Sequence, residues 1–215
     1  MGVRQYEDLC GSARAMDTIG ERWALLVVRE LLLGSKRFAA LSAGLPHASQ
    51  NVLSQRLKEL VSVGLIRHVR LGPPVSAQVY ELTDTGRGLE PALLALARWG
   101  AILPAMPNAT MSPDALALGL KAFYTPPPNG DVHAEIGLRL GDESFSVRVG
   151  AGGVEVRRGH PVAPRFVVTG ASVDVWSVVA GDRRLGDAVK AGSLAIDGDL
   201  HEAEKFFARF ARPLT

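Results

Sequence analysis

Residues 38–82, FAALSAGLPHASQNVLSQRLKELVSVGLIRHVRLGPPVSAQVYEL, decide the fold of the N-terminal half of this chain. They read as a short helix, a turn, a longer helix with a polar face, and two short strands around a Pro-rich tip. Ser49 ahead of Gln50 and Asn51 suits a helix N-cap, and Gly64 suits a C-terminus, so the spacing predicts a helix over about 49–63. At 100° per residue Leu53, Leu57 and Leu60 share one stripe, while Asn51, Ser54, Gln55, Lys58 and Ser62 lie opposite. A face that only needs solubility is usually Glu and Lys. Asn, Gln, Ser and Arg match the donor and acceptor patterns of base edges. The expectation is a winged helix-turn-helix that reads duplex DNA.

Charge follows the same segment. Between Gly34 and Tyr80 there are six basic residues, Lys36, Arg37, Arg56, Lys58, Arg67 and Arg70, against Glu59 alone, a net +5. The whole chain carries +2, so the remainder carries −3. A concentrated basic patch attracts phosphate backbones through counterion release. The expected DNA-contacting residues are Lys36, Arg37, Ser49, Gln50, Asn51, Ser54, Gln55, Arg56, Lys58, Arg67 and Arg70. His68, beside Arg67, is expected at the surface or facing phosphate.

The run AMDTIGERWALLVVRELLLGSKRFAALSAGLPHASQNVLSQRLKELVSVGLIRH, residues 15–68, followed by VYELTDTGRGLEPALLALARWG, residues 79–100, resembles the HxlR family of bacterial winged-helix regulators, relatives of the MarR group. Gly20 with Trp23, LLLGSKRF, NVLSQRLKEL and YELTDTGR stand in order and at the family's spacing. The resemblance implies a homodimer with one recognition helix per subunit and a wing touching the flanking minor groove or backbone. It also implies dimer contacts from helices near the N-terminus and after the wing. Several family members use a Cys near position 10 as a redox sensor, and Arg14, one helical turn on, can lower the pKa of Cys10. The family often has Pro after that Cys; here Gly11 and Ser12 follow it.

At 215 residues and 47% hydrophobic, the chain is long enough for two cores. The uncharged, Pro-bearing stretch from Pro104 to Pro113 reads as a break, which gives a DNA-binding and dimerisation domain at 1–103, a linker at 104–112 and a second domain at 113–215. No apolar run approaches the ~20 residues of a bilayer span, so no membrane insertion is expected. With Cys10 as the single cysteine, an intramolecular disulfide is excluded. Both features fit a reducing cytoplasm.

The second half alternates and turns often: VHAEIGLRL, SFSVRVG, a Gly-rich turn at Gly150 to Gly153, VEVRRG and PRFVVTG, read as an antiparallel meander of about four strands. Helices are expected at 172–180 and 185–191, then a strand LAIDG and a last helix from about Leu200 to Arg212. The run from Arg165 to Phe210, with Gly181, Leu185, Ala188, Gly192, Leu194, Ile196, Gly198 and Asp199, resembles the C-terminal part of sterol-carrier-protein type 2-like domains. That resemblance implies an α+β domain, a five-stranded sheet with helices over one face, enclosing an apolar tunnel for lipids, sterols or acyl chains. Candidate tunnel-wall residues are Phe145, Phe166, Trp176, Leu185, Phe206, Phe207 and Phe210, for each of which ordinary core packing is the competing role.

No catalytic pattern appears. His47, His68, His133, His160 and His201 are scattered without zinc-ligand spacing, there is no Gly-x-Ser-x-Gly elbow, and the Gly150 to Gly153 turn lacks the Lys-Ser/Thr ending of a phosphate loop. No metal or cofactor is expected. Three readings remain: a ligand-responsive DNA-binding regulator, a lipid carrier whose winged helix serves dimerisation, and a thiol-based redox regulator.

Overall fold

The computed structural model describes residues 6–73, 76–106, 109–126, 134–150 and 152–210. Pro74 of the expected Pro-rich tip, Pro107 and Asn108 of the expected linker, Val132 and His133 of the first expected strand, Ala151 of the expected Gly-rich turn and Arg212 of the last expected helix lie outside the described residues. Contacts divide the chain into two compact units, residues 1–93 and 94–215.

The first unit is a winged helix-turn-helix. Its elements are α1 (Gly11–Ile19), α2 (Ala24–Leu31), α3 (Phe38–Gly44), α4 (Gln50–Ser62), strands β1 (Ile66–Arg70) and β2 (Gln78–Leu82), α5 (Asp84–Arg87) and the start of α6 (Glu90–Gly100). Val27, Val28, Leu31, Leu41, Leu53, Leu57, Leu60, Ile66 and Leu82 are each at most 1% exposed and form its core. The wing strands pair antiparallel from Ile66 opposite Leu82 to Arg70 opposite Gln78. Lys36 adds a backbone bridge to β2, its N–H donating to the Tyr80 carbonyl at 2.9 Å and its own carbonyl accepting from Tyr80 at 2.8 Å.

Short-range chemistry sets these boundaries. Ser49 Oγ accepts from the Val52 N–H at 3.3 Å and opens α4. At the other end Gly64 takes φ +71, Leu65 N–H bonds the Leu60 carbonyl at 3.0 Å, and Gly64 N–H bonds that of Val61 at 3.0 Å. These are the paired bonds of a Schellman C-cap. Thr83 Oγ1 then accepts from Gly86 N–H at 3.1 Å while donating to the Gly64 carbonyl at 2.7 Å. One hydroxyl therefore caps α5 and locks the end of the wing to the end of α4.

The second unit is an α+β assembly: the remainder of α6, α7 (Pro113–Phe123), strands β3 (Ala134–Leu140), β4 (Glu143–Gly150), β5 (Gly153–Arg158) and β6 (Phe166–Gly170), α8 (Ser172–Val179), α9 (Leu185–Lys190), β7 (Leu194–Gly198) and α10 (Leu200–Phe207). Its five-stranded sheet has the order β5-β4-β3-β6-β7. The expected four-strand antiparallel meander is corrected: β3, β4 and β5 form one, but β6 returns to pair parallel with β3, Leu138 opposite Val168. Alternation defines the two faces. Ile136, Leu138, Phe145, Val147, Val156, Phe166 and Val168 are buried, whereas Arg139, Arg148, Glu155, Arg157 and Thr169 are exposed.

Helices cover the apolar face, through contacts of α7 with β5, α9 with β7, and Phe206 of α10 with Phe166 of β6. Asp114 in the first turn of α7 is 2% exposed and receives both carboxylate bonds from Arg158 of β5, at 2.6 and 2.7 Å. Arg98 of α6 donates to the Ala122 carbonyl at 2.8 Å, which ties that end of α6 into this unit. The last helix also ends earlier than expected, with Ala208 as its C-cap, because Phe210 leaves the helix to bridge Tyr124.

Candidate nucleic-acid interface

Helix α4 offers an exposed polar surface that begins at its capped N-terminus. Ser49, Gln50, Asn51, Gln55, Lys58 and Ser62 are exposed, Ser54 is half-buried, and the three leucines face the core. The free N–H groups and positive dipole end of such a terminus favour phosphate oxygens. Ser49 is partly spoken for, since its hydroxyl oxygen already serves as the cap.

The basic residues separate into free and occupied ones. Arg37, Lys58 and Arg70 are exposed; Arg67 is 65% exposed and its Nε donates to Glu81 at 2.6 Å across the wing. His68 is exposed and stacks on its cross-strand partner Tyr80, ring centroids 4.5 Å apart. Lys36 is corrected as a DNA contact. It is 8% exposed, with Nζ 2.7 Å from Glu30 Oε2, and Glu30 is fully buried and also bonded by Arg29 at 2.9 Å. Gly44 makes that burial feasible, because a Cβ there would stand 2.2 Å from the same Glu30 oxygen. Arg56 is corrected too as a free contact: its side chain is 12% exposed and its guanidinium bonds Glu59 and, at 3.3 Å, Glu21.

Two residues on this face escaped the sequence reading. Val52, 40% exposed beside Asn51, presents an apolar surface of the kind that meets a thymine methyl. Glu59 entered only as a charge to subtract, yet it accepts from both Gln55, at 2.8 Å, and Arg56. Their shared signal was spacing: 52, 55 and 59 succeed one another at i+3 and i+4.

The model of the HxlR-like helix-turn-helix family matches residues 18–105. Over 87 residues the chain is 44% identical to the HTH-type transcriptional regulator YvaP of Bacillus subtilis (strain 168), a match covering 40% of this chain and 80% of YvaP. The chain belongs to the HxlR-like helix-turn-helix family. The chain is also similar to the HTH-type transcriptional regulator Rv3095 of Mycobacterium tuberculosis (strain H37Rv), 40% identical over 89 residues, where it spans 54% of that relative's length. Among solved structures, quinone-bound YodB from B. subtilis is similar at 27% identity and a TM-score of 0.38, covering 44% of this chain and 100% of that one. The oxidized form of the redox regulator HypR is similar at 30% identity and a TM-score of 0.39, covering 45% and 100%. Residues beyond 105 lie outside the HxlR family match.

The tunnel candidates fall into separate places. Phe166, Phe206, Phe207 and Phe210 meet one another with centroids 5.2 to 6.3 Å apart, and Tyr124 joins at 5.6 Å from Phe210. Trp176 instead packs edge-on to Phe123 at 5.3 Å and against Gly119, where a Cβ would meet its ring at 2.6 Å. Phe145, 1% exposed, lies under the Arg158 guanidinium at 5.2 Å, and Leu185 is buried at the start of α9. The Tyr124 hydroxyl is buried and has no hydrogen-bond partner.

Cys10 is exposed at the N-cap of α1. Its thiol is held below the ordinary range first by the Ser12 hydroxyl, 3.0 Å from Sγ, and then by the backbone N–H groups of Ser12 and Ala13. The expected role of Arg14 is replaced by these neighbours. Among the described residues no group of three His, Cys, Asp or Glu comes together to hold a metal ion, and no helix is long and apolar enough to cross a membrane.

Proposed function

We propose that this protein is a transcriptional regulator that binds operator DNA in the cytoplasm as a homodimer, with α4 of each copy in a major groove and the wing against flanking backbone or minor groove. The capped, amide-rich exposed face of α4 carries this reading: Gln50, Asn51 and Gln55 for base edges, Lys58, Arg37 and Arg70 for phosphates. The family, and relatives that are themselves named transcriptional regulators, agree with it. Dimerisation is supported by large apolar side chains left exposed, Tyr6, Leu9 and Met16 at the N-terminus, and Leu96, Trp99, Ile102, Leu103 and Met106 from α6 onward. Binding to a selected site should fall by about 0.9 in log K per phosphate neutralised as log salt rises, on a pseudo-palindrome with half-sites about one helical turn apart. A salt-insensitive complex, or a monomer on DNA, would end this reading.

Within that function we infer that residues 113–215, joined through a linker at 104–112, form a sterol-carrier-like domain that senses an apolar molecule. Support comes from the five-stranded sheet beneath one helical layer, and from the Phe166–Phe206–Phe207–Phe210 cluster beside a Tyr124 hydroxyl that lacks a partner. A buried hydroxyl is costly unless something bonds it. A fluorescent acyl probe titrated into the full chain and into its DNA complex should bind saturably and change DNA affinity by about 5- to 150-fold. Binding without that change leaves a lipid carrier; no binding removes the sensor. The redox alternative rests on the lowered pKa of exposed Cys10 and predicts an oxidant response in the wild type that Cys10→Ser abolishes.

A further inference from the structure

Gln55 does not hang freely from the exposed face of α4. Its Nε2 donates to Glu59 Oε1 at 2.8 Å. A carboxylate only accepts, so the amide must turn its NH2 toward Glu59, which removes the usual freedom of a glutamine to exchange its oxygen and nitrogen ends. Glu59 is itself held. Its other oxygen accepts from Arg56 Nη1, and Arg56 Nη2 reaches Glu21 Oε2 at 3.3 Å. The Arg56 side chain is 12% exposed, so this link of the Glu21–Arg56–Glu59–Gln55 chain is seated in protein, while Glu59 is 42% and Glu21 75% exposed.

Glu59 is also the one acidic residue between Gly34 and Tyr80, on the helix that would approach a polyanion. A carboxylate there opposes phosphate binding, so helix solubility is a poor account of it. Orientation of Gln55 is a better one. The fixed amide keeps Oε1 as an acceptor beside its remaining N–H donor. Of the four bases, adenine presents the complement in the major groove, the N6 amino donor beside the N7 acceptor; guanine presents two acceptors there.

Resting on the DNA-binding reading above, we propose that Glu59 is a positioning residue which, held by Arg56 and Glu21, fixes Gln55 as a reader of adenine. The test uses the full-length protein, a site selected from random duplexes, and affinities for every single base-pair substitution. Wild type should prefer adenine at one base pair per half-site by about 5- to 150-fold. Replacing that adenine by 7-deazaadenine, which lacks the N7 acceptor, should weaken binding, and Gln55→Ala should erase both effects at that base pair alone. Glu59→Gln keeps the shape and helix propensity, but its amide can donate as well as accept and no longer dictates the Gln55 orientation. Adenine preference at that base pair should then drop to within about threefold while other positions keep theirs, and affinity for random DNA should rise because a negative charge has left the interface. Retained adenine preference in Glu59→Gln, a Gln55-dependent base other than adenine, or an equal loss of discrimination at every position overturns the proposal. Failure of the wild type to bind duplex DNA saturably removes the regulator reading as well, and shows before any variant is made.

Discussion

Glu30 and Lys36 show how far a residue's charge is from its use. The apolar spacing of α2 puts Glu30 three residues after Val27 and next to Leu31, on the stripe that turns inward, and an acid on that stripe demands a cation. The signal was present in ALLVVRELLLGSK, but charge counting assigned Lys36 to DNA because the buried partner is visible only once α2 and the wing meet. Removing one partner of a buried pair takes a charge-assisted bond from the other. Lys36→Met should therefore lower stability in urea unfolding by roughly 3 kcal/mol, with Arg29 remaining as partial compensation. DNA affinity of the folded variant should stay within about twofold of wild type, since an occupied lysine neutralises no phosphate. The opposite pattern, intact stability with weakened DNA binding, would return Lys36 to the interface. By contrast the α4 residues were readable, because the 3.6-residue period alone separates Asn51, Gln55 and Lys58 from Leu53, Leu57 and Leu60. Asn51→Ala should relax base preference by about 1 to 3 kcal/mol on the best site, whereas Lys58→Ala should weaken all sequences alike, measured by competition with random DNA.

Among the elements, those set by neighbours in sequence matched their reading and those set by distant partners did not. The cap Ser49 and terminator Gly64 bracket α4 within a residue of the expected bounds, and LAIDG is the strand β7 from Leu194 to Gly198. Period-2 alternation marked PRFVVTG as a strand, yet alternation identifies faces and leaves the pairing partner open, so the parallel docking of β6 on β3 was not legible. The YELTDTGR run carries its own tertiary constraint. A Cβ on Gly86 would stand 2.1 Å from the Leu65 carbonyl oxygen, backbone that cannot step aside without disturbing the α4 C-cap and the first wing strand. Gly86→Ala should cost about 3 kcal/mol, the upper part of the range for overpacking, read as a lowered denaturation midpoint. It should also weaken DNA binding by moving the wing, whereas Gly88→Ala, whose nearest backbone oxygen is 3.2 Å away, should be far milder. Equal effects at the two glycines would mean that the approach to Leu65 does not constrain the wing.

For the whole molecule, the apolar residues left at the surface matter more than the net charge of +2. Trp99 is 61% exposed, Leu96 and Leu103 are each 46% exposed, and Met106 is 77% exposed, all within one short stretch of sequence. Scattered exposed leucines are ordinary, but this many large side chains after the wing suit a surface that a second copy covers. The HxlR resemblance implied a dimer contact there, while composition alone showed only an amphipathic run, because exposure depends on which α6 side chains the folded chain covers. Putting a charge into the proposed dimer surface should break the dimer without harming the fold, since Trp99 is 61% exposed in the single chain. Trp99→Glu should thus give half the mass in sedimentation or native mass spectrometry with an unchanged circular dichroism spectrum. A dimer that engages two half-sites gains from linking them, by about 100- to 10,000-fold over a single engagement. The variant should accordingly lose most of its affinity for a full pseudo-palindrome while its affinity for an isolated half-site barely moves. A Trp99→Glu protein that remains dimeric would displace the contact to the N-terminal residues Tyr6, Leu9 and Met16. A monomeric variant with undiminished palindrome affinity would instead show that the two recognition helices do not act together.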